Sequence, residues 1–183
     1  MSAPPLGVRD LIDAHYEALY RYAYRLSGNS SDAEDLTQDT FGKAIARLDQ
    51  LRNPERAKSW LFRILRNAYL HRIRDDRRRK LVPLEAVGDL ADRVPEAPPE
   101  VDSAALQEAL NELDETFRTP VILFYFEDFS YRDIAEQMDL PIGTVMSRLA
   151  RAKGYLKSKL YPGLDPDSIG DAKPQARLPR ADR

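Results

Sequence analysis

Residues 130–160 read SYRDIAEQMDLPIGTVMSRLARAKGYLKSKL. Apolar residues recur there at helical spacing on both sides of Pro141, and proline suits the start of a helix but not its interior. Ser130 is placed to cap the first helix, and Asp133 puts negative charge where the helix dipole is positive. The stretch therefore predicts a short helix, a tight turn and a longer helix.

The longer helix has an apolar side and a basic side. Its apolar stripe consists of Val145, Leu149, Ala152, Leu156 and Leu160, which leaves Thr144, Ser147, Arg151 and Gly154 on the opposite side. Residues 141–160 contain five basic residues and no acidic one. This pattern is typical of a helix-turn-helix, whose second helix enters the DNA major groove. The alternative is a helical hairpin whose basic side is merely solvated.

Charge is segregated along the rest of the chain. The net charge of the 183 residues is -2, yet residues 58–80 hold nine basic residues against two acidic ones. Residues 85–115 reverse this balance, with ten acidic residues against one basic residue. Because the local sign of the charge decides which partner a surface attracts, two basic segments separated by an acidic spacer remain compatible with nucleic-acid binding.

The composition excludes several classes of site. Cysteine is absent and only His15 and His71 could supply imidazole, so disulfides are excluded and a structural metal is not expected. No apolar run approaches the roughly 20 residues that cross a bilayer, and the N-terminus lacks a basic-then-apolar signal peptide. We expect a cytoplasmic protein without membrane insertion, metal or cofactor.

Two helices are predicted near the N-terminus. Apolar residues recur from Leu11 to Leu26, and Gly28 is placed to end this first helix. Ser31 and Glu34 form a capping-box pattern that opens the second helix. One side of the second helix is largely apolar, made of Ala33, Leu36, Thr37, Phe41, Ala44, Ile45 and Leu48, and the other side carries Asp35, Gln38, Asp39 and Gly42. This acidic side is either a solvated helix start or a docking surface for a basic partner.

A third helix is predicted over residues 55–78. Its apolar side includes Ala57, Trp60, Leu61, Ile64, Leu65, Ala68 and Ile73. Trp60, Phe62 and Tyr69 are interleaved with basic and amide residues, so the helix offers groups for phosphates and for unpaired bases. Packing is the favoured interpretation of Trp60 taken alone, because it follows the apolar stripe.

The fold class predicted from these patterns is all-α, with two small helical domains joined by a flexible linker. The first domain covers residues 8–80, an acidic proline-rich linker covers 81–102, and the helix-turn-helix domain covers 103–161. Asp114 is placed to cap a helix that contains Pro120, and the apolar run 121–126 is expected to fill the core, with a buried strand as the alternative. Residues 162–183 are expected to be a disordered tail.

The order of these parts resembles a known family. The strings DAEDLTQDTF (32–41), SWLFRILRNAYLHRIR (59–74) and LNELDETFRTPVILFYFEDFSYRDIAEQMDLPIGTVMSRLARAK (110–153) are similar to the extracytoplasmic-function (ECF) sigma factors of bacterial RNA polymerase. The resemblance covers residues 11–160 and includes both domains in the family's order. It implies a protein that binds core RNA polymerase and directs initiation at specific promoters.

The resemblance also implies three sets of binding residues. Those that would bind polymerase, at the clamp of the largest subunit, are Asp35, Leu36, Gln38, Asp39 and Phe41; the flap of the second-largest subunit is a further expected contact. Those that would bind the melted minus-ten element are Lys58, Trp60, Arg63, Arg66, Asn67, Arg72 and Arg74. Those that would bind the minus-thirty-five duplex are Thr144, Ser147, Arg148, Arg151 and Lys153.

Two departures from the family leave the promoter sequence open. Leu51 replaces an aromatic residue of some members, and Met146 and Ala150 stand where larger or charged groups are common. The resemblance further suggests an anti-sigma factor as a candidate partner. No catalytic residue is expected, since the sequence offers no nucleophile and base pair, phosphate-binding glycine loop or metal cluster.

Three other functions remain open from the sequence. An ordinary helix-turn-helix regulator would need no polymerase-docking face. A sigma-mimicking adaptor would capture an anti-sigma factor without binding promoter DNA, and an RNA-binding module would leave the second domain unexplained.

Overall fold

The computed structural model describes residues 7–79 and 103–161. The helices are α1 (Val8–Ser27), α2 (Ser30–Ile45), α3 (Ala57–Arg79), α4 (Ser103–Glu112), α5 (Glu115–Tyr125), α6 (Tyr131–Met138) and α7 (Ile142–Leu160). Two short 3₁₀ turns, Leu48–Gln50 and Pro54–Arg56, lie between α2 and α3. These ranges contain no strand, which confirms the all-α prediction.

The chain divides into two compact units, with α1–α3 in the first and α4–α7 in the second. The predicted linker and tail lie outside the described residues. No described helix is long and apolar enough to span a membrane.

Helix α1 ends as predicted, but α2 begins differently. Gly28 adopts the left-handed conformation (φ 82°) and its N–H donates to the carbonyl of Tyr24 at 2.7 Å. The cap of α2 is Asn29, whose side chain accepts from the backbone N–H of Asp32 at 2.8 Å. The predicted capping box at Ser31 is therefore wrong, because a capping residue needs an extended backbone and Ser31 already lies inside the first helical turn.

The core of the first unit forms where α1, α2 and α3 pack together. Its largest fully buried side chains include Tyr22 and Phe62, whose rings stack with centroids 4.8 Å apart. Tyr69 is also buried, and its hydroxyl donates to the carbonyl of Leu26 at 2.7 Å. Phe62 and Tyr69 are therefore core residues and do not offer their rings to bases. Ile45, predicted on the apolar side, is 42% exposed.

The second unit begins with α4 and the capped helix α5. Asp114 accepts from the backbone N–H of Thr116 at 2.9 Å, which confirms the predicted cap. Pro120 lies within α5, so the strand alternative for residues 121–126 is wrong. That run only partly fills the core: its first three residues are buried, whereas Tyr125 is 48% exposed.

Helices α6 and α7 form the predicted helix-turn-helix. Ser130 and Asp133 cap each other's backbone N–H groups in a capping box at the start of α6. Asp139 then ends α6 in the left-handed conformation (φ 53°), and Pro141 immediately precedes α7. The residues buried between the two helices and the rest of the unit are Ile134, Ala135, Met138, Val145, Leu149 and Ala152. The opposite side of α7 remains available for a partner.

Candidate docking and nucleic-acid interfaces

The acidic side of α2 is exposed as the sequence predicted. Asp35, Gln38 and Asp39 are exposed, while Leu36 and Phe41 are buried beneath them at 2% and 6% exposure. Asp39 also pairs with the Nζ of Lys43, one turn further along α2, at 2.6 Å. The first three residues can contact a partner directly, whereas Leu36 and Phe41 can only support the surface from below.

The side chain of Arg72 extends from α3 to the start of α2. Its Nη1 is 3.0 Å from a carboxylate oxygen of Asp32, and its Nη2 is 3.3 Å from a carboxylate oxygen of Asp35. All three side chains are partly exposed. The structure thus uses Arg72, which the resemblance assigned to the minus-ten set, to join the two helices.

The other members of that set occupy different sides of α3. At about 100° per residue, Trp60, Arg63, Asn67 and Arg74 fall within a sector of about 60°. Arg63, Asn67 and Arg74 are exposed there, and Trp60 is half-buried at the edge. Arg66 lies about 60° outside this sector, and Arg72 lies about 180° from Arg63. We call the sector of Trp60, Arg63, Asn67 and Arg74 the basic face of α3.

Lys58 also belongs to α3 but lies outside its basic face. Its Nζ is 5.5 Å from the ring centroid of Phe62. Burial lowers the pKa of His15 from its ordinary value of 6.5, and the charge of Lys58 lowers that pKa further. Lys58 lies about 140° around α3 from Arg63 and about 180° from Asn67, and its charge acts on His15 of α1.

Helix α7 also divides its predicted contact residues. Ser147 and Arg151 are exposed and share one side with the half-buried Thr144. Lys153 is half-buried and lies about 160° around the helix from Arg151. The predicted set is therefore concentrated at Thr144, Ser147 and Arg151, with Lys153 at a distant edge.

Arg148 contacts the protein itself. Pro120 has no N–H, so the carbonyl of Thr116, four residues earlier, lacks its usual partner within α5. The Nη1 of half-buried Arg148 lies 3.4 Å from that carbonyl oxygen. The arginine thereby connects α7 to α5 at the point where the proline interrupts the hydrogen bonding.

The sequence interpretation missed two clusters. Tyr16 of α1 stacks on Tyr20 and on Phe41, with ring centroids 6.4 Å and 6.3 Å apart, and remains 47% exposed. In the second unit, a carboxylate oxygen of Glu112 lies 2.6 Å from the Nζ of Lys159 and accepts a hydrogen bond from the hydroxyl of Tyr155. The hydrogen bonds from Lys159 and Tyr155 lower the pKa of Glu112. The spacing of Tyr16 and Tyr20 was the only sequence signal for either cluster.

Nothing in residues 7–79 and 103–161 resembles a metal centre. No group of three or more histidine, aspartate or glutamate side chains in these ranges could hold a metal ion.

Comparison with known proteins identifies both units. The profile described as Sigma-70 region 2 matches residues 11–79, and that described as Sigma-70, region 4 matches residues 103–156. The ECF RNA polymerase sigma factor EcfG of Rhodopseudomonas palustris is 34% identical over 158 residues, which are 85% of this chain and 86% of EcfG. The chain belongs to the ECF sigma factor family.

Other similarities extend across both units of this ECF sigma factor. SigE of Mycolicibacterium smegmatis is 38% identical over 159 residues, which are 82% of this chain but only 60% of the longer SigE. The structure of the sigma factor RpoE in complex with the anti-sigma factor NepR, from Bartonella quintana, aligns with a TM-score of 0.73 and 32% identity. That alignment covers 85% of this chain and 98% of RpoE. Membership of this family excludes the alternative that the chain is an unrelated helix-turn-helix regulator.

Proposed function

We propose that this sigma factor docks on core RNA polymerase through α2, holds the melted minus-ten strand on the basic face of α3, and binds the minus-thirty-five duplex through α7. The observation that carries the proposal is the separation of charge within the first unit. Asp35, Gln38 and Asp39 are exposed on α2, and Arg63, Asn67 and Arg74 are exposed on α3. One small unit thus offers surfaces of opposite sign to a protein and to a nucleic acid.

The polymerase supplies the catalysis in this mechanism. The clamp of the largest subunit is the expected partner of α2, and the flap of the second-largest subunit is the expected partner of the second unit. Arg63 and Arg74 offer charge to phosphates, while Asn67 offers an amide that can hydrogen-bond an extruded base. On α7, Thr144, Ser147 and Arg151 face the major groove, and phosphate contacts there position the helix without reading sequence.

An anti-sigma factor is the second proposed partner. The RpoE structure was solved with the anti-sigma factor NepR, and this chain shares its fold at 32% identity. A protein inhibitor that covers the acidic side of α2 would prevent docking on polymerase. Both interactions are proposed to take place in the cytoplasm, where transcription occurs.

Run-off transcription with core polymerase over a promoter library tests the proposal. The key variant, Gln38→Arg with Asp39→Arg, reverses the sign of the docking surface without touching Asp32 or Asp35, the partners of Arg72. We expect it to fold and to lose promoter-specific transcripts. Retention of full activity by this variant would show that α2 is not the docking element.

A matched control is available on α1. Ala14→Arg with Glu17→Arg changes the formal charge by the same amount on exposed residues of the same unit. It also breaks an exposed pair between residues four apart, Glu17 with Arg21, as the test variant breaks Asp39 with Lys43. This control should transcribe normally. A protein that binds an anti-sigma factor but never supports transcription would instead be a sigma-mimicking adaptor.

A further inference from the structure

Gly42 lies within α2 on its exposed side, one turn after Gln38 and Asp39. A Cβ at this position would meet no neighbouring atom within 4 Å. The backbone of Gly42 is helical, so a side chain would also cause no strain there. Glycine is nevertheless one of the least favourable residues inside a helix, because it loses the most backbone freedom on folding. The packing of α2 within its own unit therefore does not explain this residue.

Exposed apolar groups lie beside the gap that Gly42 leaves. Ile45 follows it by three residues, on the neighbouring surface of the helix, and is 42% exposed. Phe41 immediately precedes Gly42, and its ring stacks with that of Tyr16, which is 47% exposed. The aliphatic side chain of Ile45 thus borders a helix position without a side chain, and Asp35 and Asp39 lie on the same side of the helix.

We propose that a basic helix of the polymerase crosses α2 at Gly42, where its side chains pack on the Cα and against Ile45. The proposal rests on the polymerase docking proposed above and names its point of closest approach. Charge complementarity with Asp35 and Asp39 selects a basic partner, and the gap is continuous with the exposed surface of those acids. The distance between two packed helices depends on the side chains at their crossing, so a glycine there brings the partner nearest.

Two substitutions in the full-length protein test this contact. Gly42→Ala should raise the Tm of the first unit by about 4 °C, since alanine fits the helix and restricts the unfolded chain. It should nevertheless weaken binding to core polymerase severalfold. Gly42→Leu fills the gap completely and should weaken binding by about tenfold or more, as overpacking does in a close contact. Fluorescence of Trp60, the single tryptophan, reports unfolding of the first unit alone.

The matched control is Ala14→Leu, which adds a similar side chain to an exposed position of α1 about half a turn around the helix from Tyr16. Its affinity for core polymerase should equal that of the parent protein. Tight binding by Gly42→Leu would overturn the proposed crossing point. If Gln38→Arg with Asp39→Arg still abolished binding, docking through α2 would stand and only the crossing point would fail. If both variants bound normally, the docking proposal itself would fail.

Discussion

Replacing Arg72 by methionine tests whether this residue is a strut between helices or a DNA contact. The substitution removes the guanidinium and keeps most of the aliphatic stem. In the folded protein the guanidinium lies 3.0 Å from Asp32 and 3.3 Å from Asp35. The side chain of Arg72 is 36% exposed, and those of the two aspartates are 48% and 61% exposed. Solvent therefore screens both pairs.

The expected cost follows from this exposure. Exposed ion pairs contribute about 0.2–1 kcal/mol each, so the loss of two should lower the free energy of unfolding by about 1 kcal/mol. For a unit of this size, that corresponds to a fall in Tm of roughly 4–8 °C. The fall should shrink in 1 M salt, where the Debye length is only about 3 Å.

Thermal unfolding followed by Trp60 fluorescence measures this change. The control is Arg74→Met, which removes the same charge from an exposed residue on the basic face of α3 and should change stability by less than about 0.5 kcal/mol. In a double-mutant cycle, Arg72→Met should cost little once Asp32 and Asp35 are both asparagine.

The same variant separates the two roles in the polymerase complex. Arg72→Met should leave the affinity of the complex for a minus-ten strand within about twofold, whereas Arg63→Met should lower it and reduce its salt dependence. If Arg72→Met weakened strand binding as much as Arg63→Met while the Tm stayed the same, the strut assignment would be refuted.

Three further predictions concern the first unit and use the same fluorescence measurement. Asn29→Ala should lower the free energy of unfolding by about 1 kcal/mol, as the loss of a helix cap does, while Ser31→Ala should lower it by less than about 0.5 kcal/mol. A larger effect of Ser31→Ala would show that Ser31 is the capping residue after all. Tyr69→Phe should cost about 1 kcal/mol through the loss of its buried hydrogen bond, and an unchanged Tm would contradict that bond. His15 has a lowered pKa in the folded state, so only the unfolded chain gains a proton as the pH first falls below 6.5, and stability should decrease there. His15→Gln should reduce this slope, and an unchanged slope would exclude His15 as its source.

Most helices could be predicted because their signals are local. The left-handed glycine at 28, the cap at Asp114 and the capping box of Ser130 with Asp133 are each contained within a few neighbouring residues. Asn29 and Ser31 are both good capping residues two positions apart, so composition could not choose the start of α2. Periodicity likewise misplaced Ile45, which lies about 100° around the helix from the buried Ala44 and is exposed.

The basic residues of α3 show where such reasoning ends. Composition treats Arg63 and Arg72 alike, and the family resemblance assigns both to DNA. They differ in their position around the helix axis. Arg72 lies on the same side as the buried Leu61, Leu65 and Ala68, one turn after Ala68.

What a charged residue does at the end of a core depends on the group that it meets there, and that group belongs to a distant part of the sequence. Here the first two turns of α2 present Asp32 and Asp35, and their carboxylates meet the guanidinium of Arg72. One of these acids also belongs to the predicted docking face. The ion pairs therefore link the proposed polymerase-binding helix to the proposed strand-binding helix at the edge of their shared core. Because α2 and α3 also share the core of one unit, an attachment made through α2 would fix the position of α3 as well.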